Sequence, residues 1–196
     1  QDALNTALSS LGSIDGVKES FSFTDRLYSI TTFMKHHNFD GYGIESESLI
    51  LPPVIEIDRF EIRRSEKVKL EGIVFLSNDM KRKRVDEFLN LSLLFPMLSF
   101  HIVGSDKHGF LNQLLQNGDY ENIHNHGMLN HEDLNDVLQS CQLHVLMSRS
   151  EGFPRGIIEC AAAGLPSLVY NDYGASEWIT HLENGIICKD FEDFKL

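Results

Sequence analysis

The stretch QLHVLMSRSEGFPRGIIECAAAGLPSLVYN, residues 142–171, decides the fold. A short apolar run, QLHVLMS, leads into a polar loop and a segment with helical spacing, and a second apolar run, PSLVYN, follows. Pro154 stands where it can open a helix, whereas Gly164 and Pro166 stand where that helix must end. The stretch is therefore predicted to form a strand, a helix and a second strand parallel to the first.

The same alternation of short apolar runs and helical segments extends outward, from about residue 68 to the end of the chain. The predicted strands are residues 68–77, 99–105, 122–127, 142–148, 166–171 and 185–189. The predicted helices are residues 83–95, 110–117, 131–141, 154–164 and 176–183. Repeated crossovers of this length predict an α/β fold with a doubly wound, Rossmann-like parallel sheet, whose ligands bind at the carboxyl ends of the strands.

The first 50 residues are less regular, with helices predicted at residues 2–11 and 24–37. Pro52 and Pro53 interrupt any element that continues past them. Residues 1–50 are therefore predicted to be a short N-terminal appendage, for which the tail of a preceding domain is one interpretation, and residues 51–196 the Rossmann-like domain. Because the chain starts at Gln1 and stops within an apparent helix start, it is expected to be part of a longer polypeptide.

Composition excludes several classes of function. Lys and Arg total 17 against 29 Asp and Glu, and the net charge of −12 repels nucleic acid and anionic membranes. No apolar run approaches the roughly 20 residues that span a bilayer, so no transmembrane segment is predicted. The three widely spaced cysteines form neither a disulfide framework nor a zinc motif, and a cytoplasmic location is expected.

A basic run, residues 81–84, follows the first predicted strand of this acidic chain and opens the next helix. Cations at a helix N-terminus oppose the helix dipole, so something should compensate them. A bound phosphate could do so, together with backbone N–H groups. A solvated basic face is the alternative, and the residues alone leave both open.

Two carboxylates lie around the loop of the 142–171 stretch. Glu151 sits at the entrance of the helix, and seven residues separate it from Glu159 inside the helix. Both can face the crevice at the strand ends, where Glu159 would need a polar partner such as a ribose diol. The alternative is that Glu151 only complements the helix N-terminus and Glu159 lies on the surface.

No metal site is predicted. The sequence has no Asp-x-Asp pair to hold a divalent cation against a sugar diphosphate. His124, His126 and His131 are the candidate ligands, but no carboxylate spacing completes a set around them.

At this point the sequence resembles the retaining GT-B glycosyltransferases of group 1, also called family 4. EGFPRGIIECAAAGLP, with seven residues between its two glutamates, looks like the signature of that family, and FLSNDMKRKRVDEFL looks like its first strand and phosphate-binding loop. The resemblance covers about residues 50–190 in order and spacing, and it implies the family's C-terminal, donor-binding domain.

The resemblance implies roles for individual residues. Lys83 matches the lysine that binds the donor diphosphate, and Glu151 matches the acidic residue near the donor sugar, so both are candidate catalytic residues. Glu159 matches the ribose-binding carboxylate. One position departs from the family, because Asn78 stands five residues before Lys83, where an arginine is usual. Either a neighbour in the basic run supplies that charge, or the diphosphate binds more weakly.

Three further donor-binding positions follow from the same resemblance. Gly152 and Phe153 would supply backbone N–H groups beside the sugar and phosphate. Met128 falls where the main chain meets the nucleobase, although a plain core methionine is the alternative.

The implied reaction is transfer of a sugar from a nucleotide diphosphate sugar to a glycan, lipid or other acceptor, with retention of configuration and without a metal or other cofactor. The acceptor site would lie in a missing N-terminal domain, so the chain should bind donor but hardly turn over, and the whole protein could be peripheral at the membrane. Two alternatives are a GT-B nucleotide-sugar epimerase and a non-catalytic nucleotide-sugar binding module.

Overall fold

A computed structural model of the chain describes residues 13–62 and 69–195. Within these ranges six parallel strands form one sheet in the order β3-β2-β1-β4-β5-β6. The strands are β1 (Gly72–Leu76), β2 (Ser99–Val103), β3 (Ile123–Gly127), β4 (Leu143–Leu146), β5 (Ser167–Tyr170) and β6 (Gly185–Cys188). This is the doubly wound order, so the predicted α/β, Rossmann-like fold is confirmed.

Helices cover both faces of the sheet. They are α1 (Ile14–Ser22), α2 (Thr32–Tyr42), α3 (Val85–Leu94), α4 (Phe110–Asn117), α5 (His131–Ser140) and α6 (Arg155–Ala162). Short 3₁₀ helices lie at Ile57–Arg59, Ala175–Glu177 and Glu192–Lys195. No helix in the described ranges has both the length and the apolar character needed to cross a bilayer.

The central strand β1 shows why the sheet is parallel. All five of its residues are buried, because helices cover it on both sides. Phe75 packs against Phe88 of α3 on one face, with ring centroids 5.0 Å apart. On the other face Val74 belongs to the same apolar cluster as Cys160 and Ala163 at α6. Since β1 lies between β2 and β4, these two layers hold the centre of the sheet.

The N-terminal segment, residues 13–62, contacts the rest of the fold at several points, and one of them is α2. A helix was predicted at 24–37, but α2 begins only at Thr32, because Ser29 pairs as an extended bridge with Ile50. Thr31 caps the helix by accepting a hydrogen bond from the N–H of Met34 at 3.0 Å. The carboxylate of Glu177 accepts from the first N–H groups of α2, so the segment is fastened beside β5.

The prediction of a helix at 176–183 is wrong. Only the 3₁₀ turn Ala175–Glu177 forms there, and the chain then bends back, with a bridge between His181 and Gly185. The side chain of Asn184 replaces helical bonds, since it accepts from the N–H of Thr180 and donates to the carbonyl of Trp178. Local side-chain bonding of this kind competes with helix formation.

Smaller differences concern element ends. The first strand begins at Gly72 instead of residue 68, which lies outside the described ranges, as does the helix predicted at 2–11. Pro154 is the residue before α6 and not its first residue. The final helix start is the 3₁₀ turn Glu192–Lys195. The three cysteines are buried.

Candidate functional site

The candidate site is a cleft of about 530 Å³ at the carboxyl ends of β1, β2 and β4. The strand order reverses between β1 and β4, and such a switch point opens a crevice because the two crossovers leave in opposite directions. Its lining includes Asn78, Asp79, Arg82, Lys83, Gly104, Met128, His131, Glu151, Phe153, Arg155 and Glu159. Most residues predicted from the sequence for donor binding therefore face one cavity.

A tight turn after β1 presents the basic run. The Oγ of Ser77 accepts from the N–H of Asp79 at 3.0 Å, and Oδ1 of Asp79 accepts from the N–H of Arg82 at 3.1 Å. Met80, 3% exposed, anchors the turn in the core. Arg84, the residue before α3, has a φ of 58°, in the left-handed region. This turn directs consecutive side chains to different sides of the loop.

The turn separates the four cations into two groups. Arg82 and Lys83 line the cleft, whereas Lys81 lines a neighbouring cavity and Arg84 pairs with Glu87 of α3. The cations at the helix start are thus partly compensated by carboxylates, including those of the first turn of α3. A uniformly solvated basic face is wrong, because the side chain of Lys83 is only 14% exposed.

Glu151 is the buried partner of both cleft cations. Its side chain is 6% exposed, and its Oε1 lies 3.3 Å from Nη1 of Arg82 and 3.8 Å from Nζ of Lys83. Burial lowers the pKa of Lys83 below its ordinary value of 10.5, and the charge of Glu151 opposes this effect. The loops after β1 and β4 are therefore joined by opposite charges at the cleft floor.

Glu159 lies on α6 and also faces the cleft. Its carboxylate pairs with Arg155 one turn earlier, at 3.8 Å, and the side chain is 22% exposed. Because the pair is long and the carboxylate open, oxygen atoms of Glu159 remain available to hydroxyl donors. The sequence-based alternative that Glu159 lies on the outer surface is wrong.

The loop carrying Glu151 is held at several points. Arg82 Nη1 donates to the carbonyl oxygen of Ser150 at 2.8 Å. Arg149 pairs with Asp172 at 2.8 Å and lies 3.7 Å from the ring centre of Tyr170. These contacts fix the loop before any ligand arrives, which lowers the entropic cost of binding.

Gly152 and Phe153 complete that loop at the entrance of α6. A Cβ at Gly152 would lie 3.3 Å from Cδ1 of Ile30, so the N-terminal segment approaches the loop closely here. Phe153 lines the cleft and packs edge-on against Trp178. Pro154 makes no side-chain cap for α6. The N–H groups of Arg155 and Ile157 donate to the carbonyls of Phe153 and Pro154, so among the first three N–H groups of α6 that of Gly156 is left for an anion.

Met128 lies on the opposite wall, after β3. It is 64% exposed, so the alternative of a core methionine is wrong. The nearby His131 also lines the cleft, where its Nε2 lies 3.2 Å from Nη1 of Arg59. This wall is mostly apolar, with Leu129 and Leu134 beside Met128, and suits a flat, weakly polar ring.

Gly104, which follows β2, was not among the sequence-predicted site residues. Its φ of +131° and its contact with the first loop require glycine, since a Cβ there would lie 1.7 Å from the carbonyl oxygen of Ser77. The glycine after the apolar run FHIV was the available signal. It lets the loops after β1 and β2 touch at the cleft floor.

His144 lies on β4 beneath the cleft. It is fully buried, and its Nδ1 is 2.9 Å from the Oγ of Ser167, whereas its Nε2 has no hydrogen-bond partner among the described residues. Burial and, to a smaller extent, the charge of Lys83 together lower the pKa of His144 to about 3. A neutral imidazole therefore underlies the cationic loop at neutral pH.

The histidines considered as metal ligands are not together. His131 lines the cleft. His124 and His126 lie on β3 beside His101 of the neighbouring strand β2, and His101 Nδ1 is 3.0 Å from His126 Nε2. Burial lowers the pKa of His101 to about 4. In residues 13–62 and 69–195, no group of three or more His, Cys, Asp or Glu side chains is arranged to hold a metal ion.

Comparison with known proteins identifies one family. The model of the family described as glycosyl transferases group 1 matches residues 56–195, which is more than half of the chain. No curated protein gives a significant match.

Solved structures show the same fold at low sequence identity. Sucrose-phosphate synthase from Thermosynechococcus elongatus superimposes with a TM-score of 0.77 at 17% identity, over 93% of this chain and 50% of that one. Anabaena Alr3699/HepE, solved with UDP and glucose, gives 0.75 at 15% identity, over 93% and 56%. WaaG, a glycosyltransferase involved in lipopolysaccharide biosynthesis, gives 0.70 at 21% identity, over 87% and 51%. The chain thus spans about half the length of these structures.

Proposed function

Because the chain belongs to the group 1 glycosyl transferases, we propose that it is the donor-binding half of a retaining glycosyltransferase that uses a nucleotide diphosphate sugar. The proposal rests on one contact: Lys83, from the loop after β1, pairs with Glu151, from the loop after β4, at the switch point of the sheet. Glu159 faces the same cleft, which gives room for a diphosphate, a sugar and a ribose along one cavity.

In this proposal each part of the donor has its own contacts. Lys83 and the N-terminus of α6 hold the diphosphate, to which the N–H groups of Gly152 and Phe153 also donate. Glu159 accepts from the ribose hydroxyls. The main chain at Met128 contacts the nucleobase against the apolar wall.

The chemistry needs stabilisation of a leaving group. Breaking the bond between the anomeric carbon and the phosphate oxygen leaves a nucleoside diphosphate with additional negative charge. The ammonium of Lys83 and the N–H groups of α6 face that charge as it develops, so they stabilise the transition state more than the ground state. Glu151 orients the sugar hydroxyls. Because Lys83 supplies positive charge directly, the proposed reaction uses no metal.

Retention of configuration is part of the proposal. The acceptor hydroxyl attacks the face that the diphosphate leaves, and the leaving phosphate oxygen receives the acceptor proton, so no protein nucleophile is required. We place the acceptor, a glycan or lipid, on a domain outside these 196 residues, and this chain alone should therefore bind donor with little turnover. The proposed location is the cytoplasm, with peripheral membrane contact where the acceptor is a lipid.

Calorimetry tests the donor half of the proposal. The chain is titrated with UDP, GDP and ADP in EDTA, and then in magnesium. We expect at least one nucleotide to bind in EDTA with unchanged affinity in magnesium. Binding that requires the cation would contradict metal-independent donor recognition, and no binding by any of the three would contradict the proposed function.

Product analysis tests the chemical half in the full-length protein. Proton NMR of the first product formed from an α-linked donor should give an α-linked glycoside. A β-linked product would overturn the retaining assignment, and release of an epimerised sugar nucleotide would favour the epimerase.

A further inference from the structure

Four consecutive cations follow β1, but the cleft receives only some of them. Within the described residues, the members of the run that line it are Arg82 and Lys83. Lys81 lines a separate cavity, and Arg84 is paired with Glu87. The backbone turn after β1 therefore decides which of the four cations can contact an anion in the cleft.

Asn78 lines the same cleft without contributing a charge. Its side-chain oxygen accepts from the N–H of Ser105, at 3.3 Å, so the amide ties the loop after β1 to the loop after β2. A diphosphate in the cleft would therefore meet a neutral side chain at position 78 and receive no positive charge from it.

Arg82 is held so that part of its guanidinium stays available. Nη1 contacts the carbonyl oxygen of Ser150 at 2.8 Å and Glu151 at 3.3 Å, and Nε contacts Asp79 at 3.4 Å. Within the described part of the chain Nη2 makes no hydrogen bond or ion pair, and the side chain is 29% exposed. Two N–H groups on Nη2 are thus free, on a planar group already fixed in direction.

We propose that Arg82 is a second diphosphate-binding residue that takes over the charge absent at position 78, an inference that rests on the proposed donor site. Nη2 donates to the phosphate nearer the sugar, because Glu151, which Nη1 contacts, is the residue placed beside the sugar. Nη1 meanwhile keeps Ser150 and Glu151 in position. Arg82 therefore couples the loop that carries Glu151 to the leaving group.

A rescue experiment separates this binding role from a structural one. The variants are Arg82→Gln, Arg82→Lys, Asn78→Arg and the double variant Arg82→Gln with Asn78→Arg, with Lys81→Gln as the matched control. Each is titrated in EDTA with the tightest of UDP, GDP and ADP, and with the matching nucleoside monophosphate. Thermal melts establish that the variants remain folded.

Arg82→Gln should weaken diphosphate binding about tenfold, corresponding to one lost charge-assisted hydrogen bond. The monophosphate should lose clearly less, and Lys81→Gln should lose less than about twofold, since its exposed charge is screened. Arg82→Lys should retain part of the affinity. Arginine at position 78 should restore the affinity of the double variant to within about threefold of that of the unaltered chain. If Arg82 only held Ser150 and Glu151 in place, a charge at position 78 would not restore the affinity.

The outcomes are distinguishable. If the unaltered chain binds no nucleoside diphosphate, the proposed function fails and this inference with it. If it binds and Arg82→Gln behaves like Lys81→Gln, the inference alone is wrong. A loss that is equal for monophosphate and diphosphate, or that arginine at position 78 does not restore while Asn78→Arg alone still binds, also overturns it.

Discussion

Replacing Lys83 by methionine removes the ammonium while keeping an unbranched side chain of similar length. Lys83 is largely buried, and the contact that the structure gives its Nζ is the 3.8 Å pair with Glu151. In the bound state a phosphate would become its strongest partner. A charge-assisted hydrogen bond of this kind contributes about 1.5–3 kcal/mol, which corresponds to a loss of about 10- to 150-fold in affinity.

The substitution also changes the stability of the chain without ligand. Methionine avoids the cost of burying an ammonium, which is the cause of the lowered pKa of Lys83, but it leaves Glu151 with Arg82 as its remaining cationic partner. Burying a charge with weaker compensation is unfavourable, so the variant should be slightly less stable, and a melting curve measures this separately.

The matched control is Lys81→Met. Lys81 lies two residues earlier in the same run, and its side chain is exposed and lines a different cavity. Both variants remove one positive charge, so long-range attraction falls equally, and only the contact in the cleft differs. Calorimetry in EDTA at two salt concentrations should give the large loss for Lys83→Met and less than about twofold for Lys81→Met. Equal losses would refute a specific phosphate contact.

Three further outcomes follow from the structure. Glu159→Gln should weaken nucleotide binding by about 1–2 kcal/mol, and the affinity for a 2′,3′-dideoxy nucleotide should fall little further in that variant. If calorimetry shows that the two losses of affinity simply add, Glu159 does not bind the ribose. Gly104→Ala should destabilise the fold by at least about 1–3 kcal/mol in urea unfolding, because its φ is +131° and the carbonyl of Ser77 occupies the space of a Cβ; an unchanged midpoint would contradict that contact. The pKa of His144 is about 3 in the folded chain against 6.5 ordinarily, so the unfolded chain takes up its proton first and stability falls as pH drops from about 6.5 toward 3. His144→Gln should make that fall shallower by up to about 1.4 kcal/mol per pH unit, with a remainder from His101, and an unchanged slope would exclude His144 as a source.

The sequence predicted the sheet well because each strand can be recognised from its own residues. Parallel strands buried on both faces read as short apolar runs, and all six predicted runs contain the observed strands. The prediction of a helix at 176–183 failed because the carboxylate of Glu177 accepts hydrogen bonds from the start of α2 instead of stabilising a helix at its own position. That contact joins residues 145 positions apart, and helical periodicity cannot reveal it.

The site was predictable in part for a similar reason. Glu151 and Glu159 flank the start of one helix, so local geometry brings both to the cleft. The position of Arg82 depends on a left-handed residue at Arg84 and on a carbonyl from another loop, at Ser150. Arginine rarely adopts a positive φ, so nothing in the run itself distinguishes the cations that face inward.

We expect this chain to bind a nucleotide sugar in the cleft between β1 and β4. Saturation-transfer NMR in EDTA against a panel of UDP-, GDP- and ADP-sugars measures that binding. We expect transfer to the ribose and anomeric protons of at least one member, displacement by the matching nucleoside diphosphate, and loss of the signal in Lys83→Met. No transfer to any member, or transfer that survives Lys83→Met undiminished, would contradict the claim.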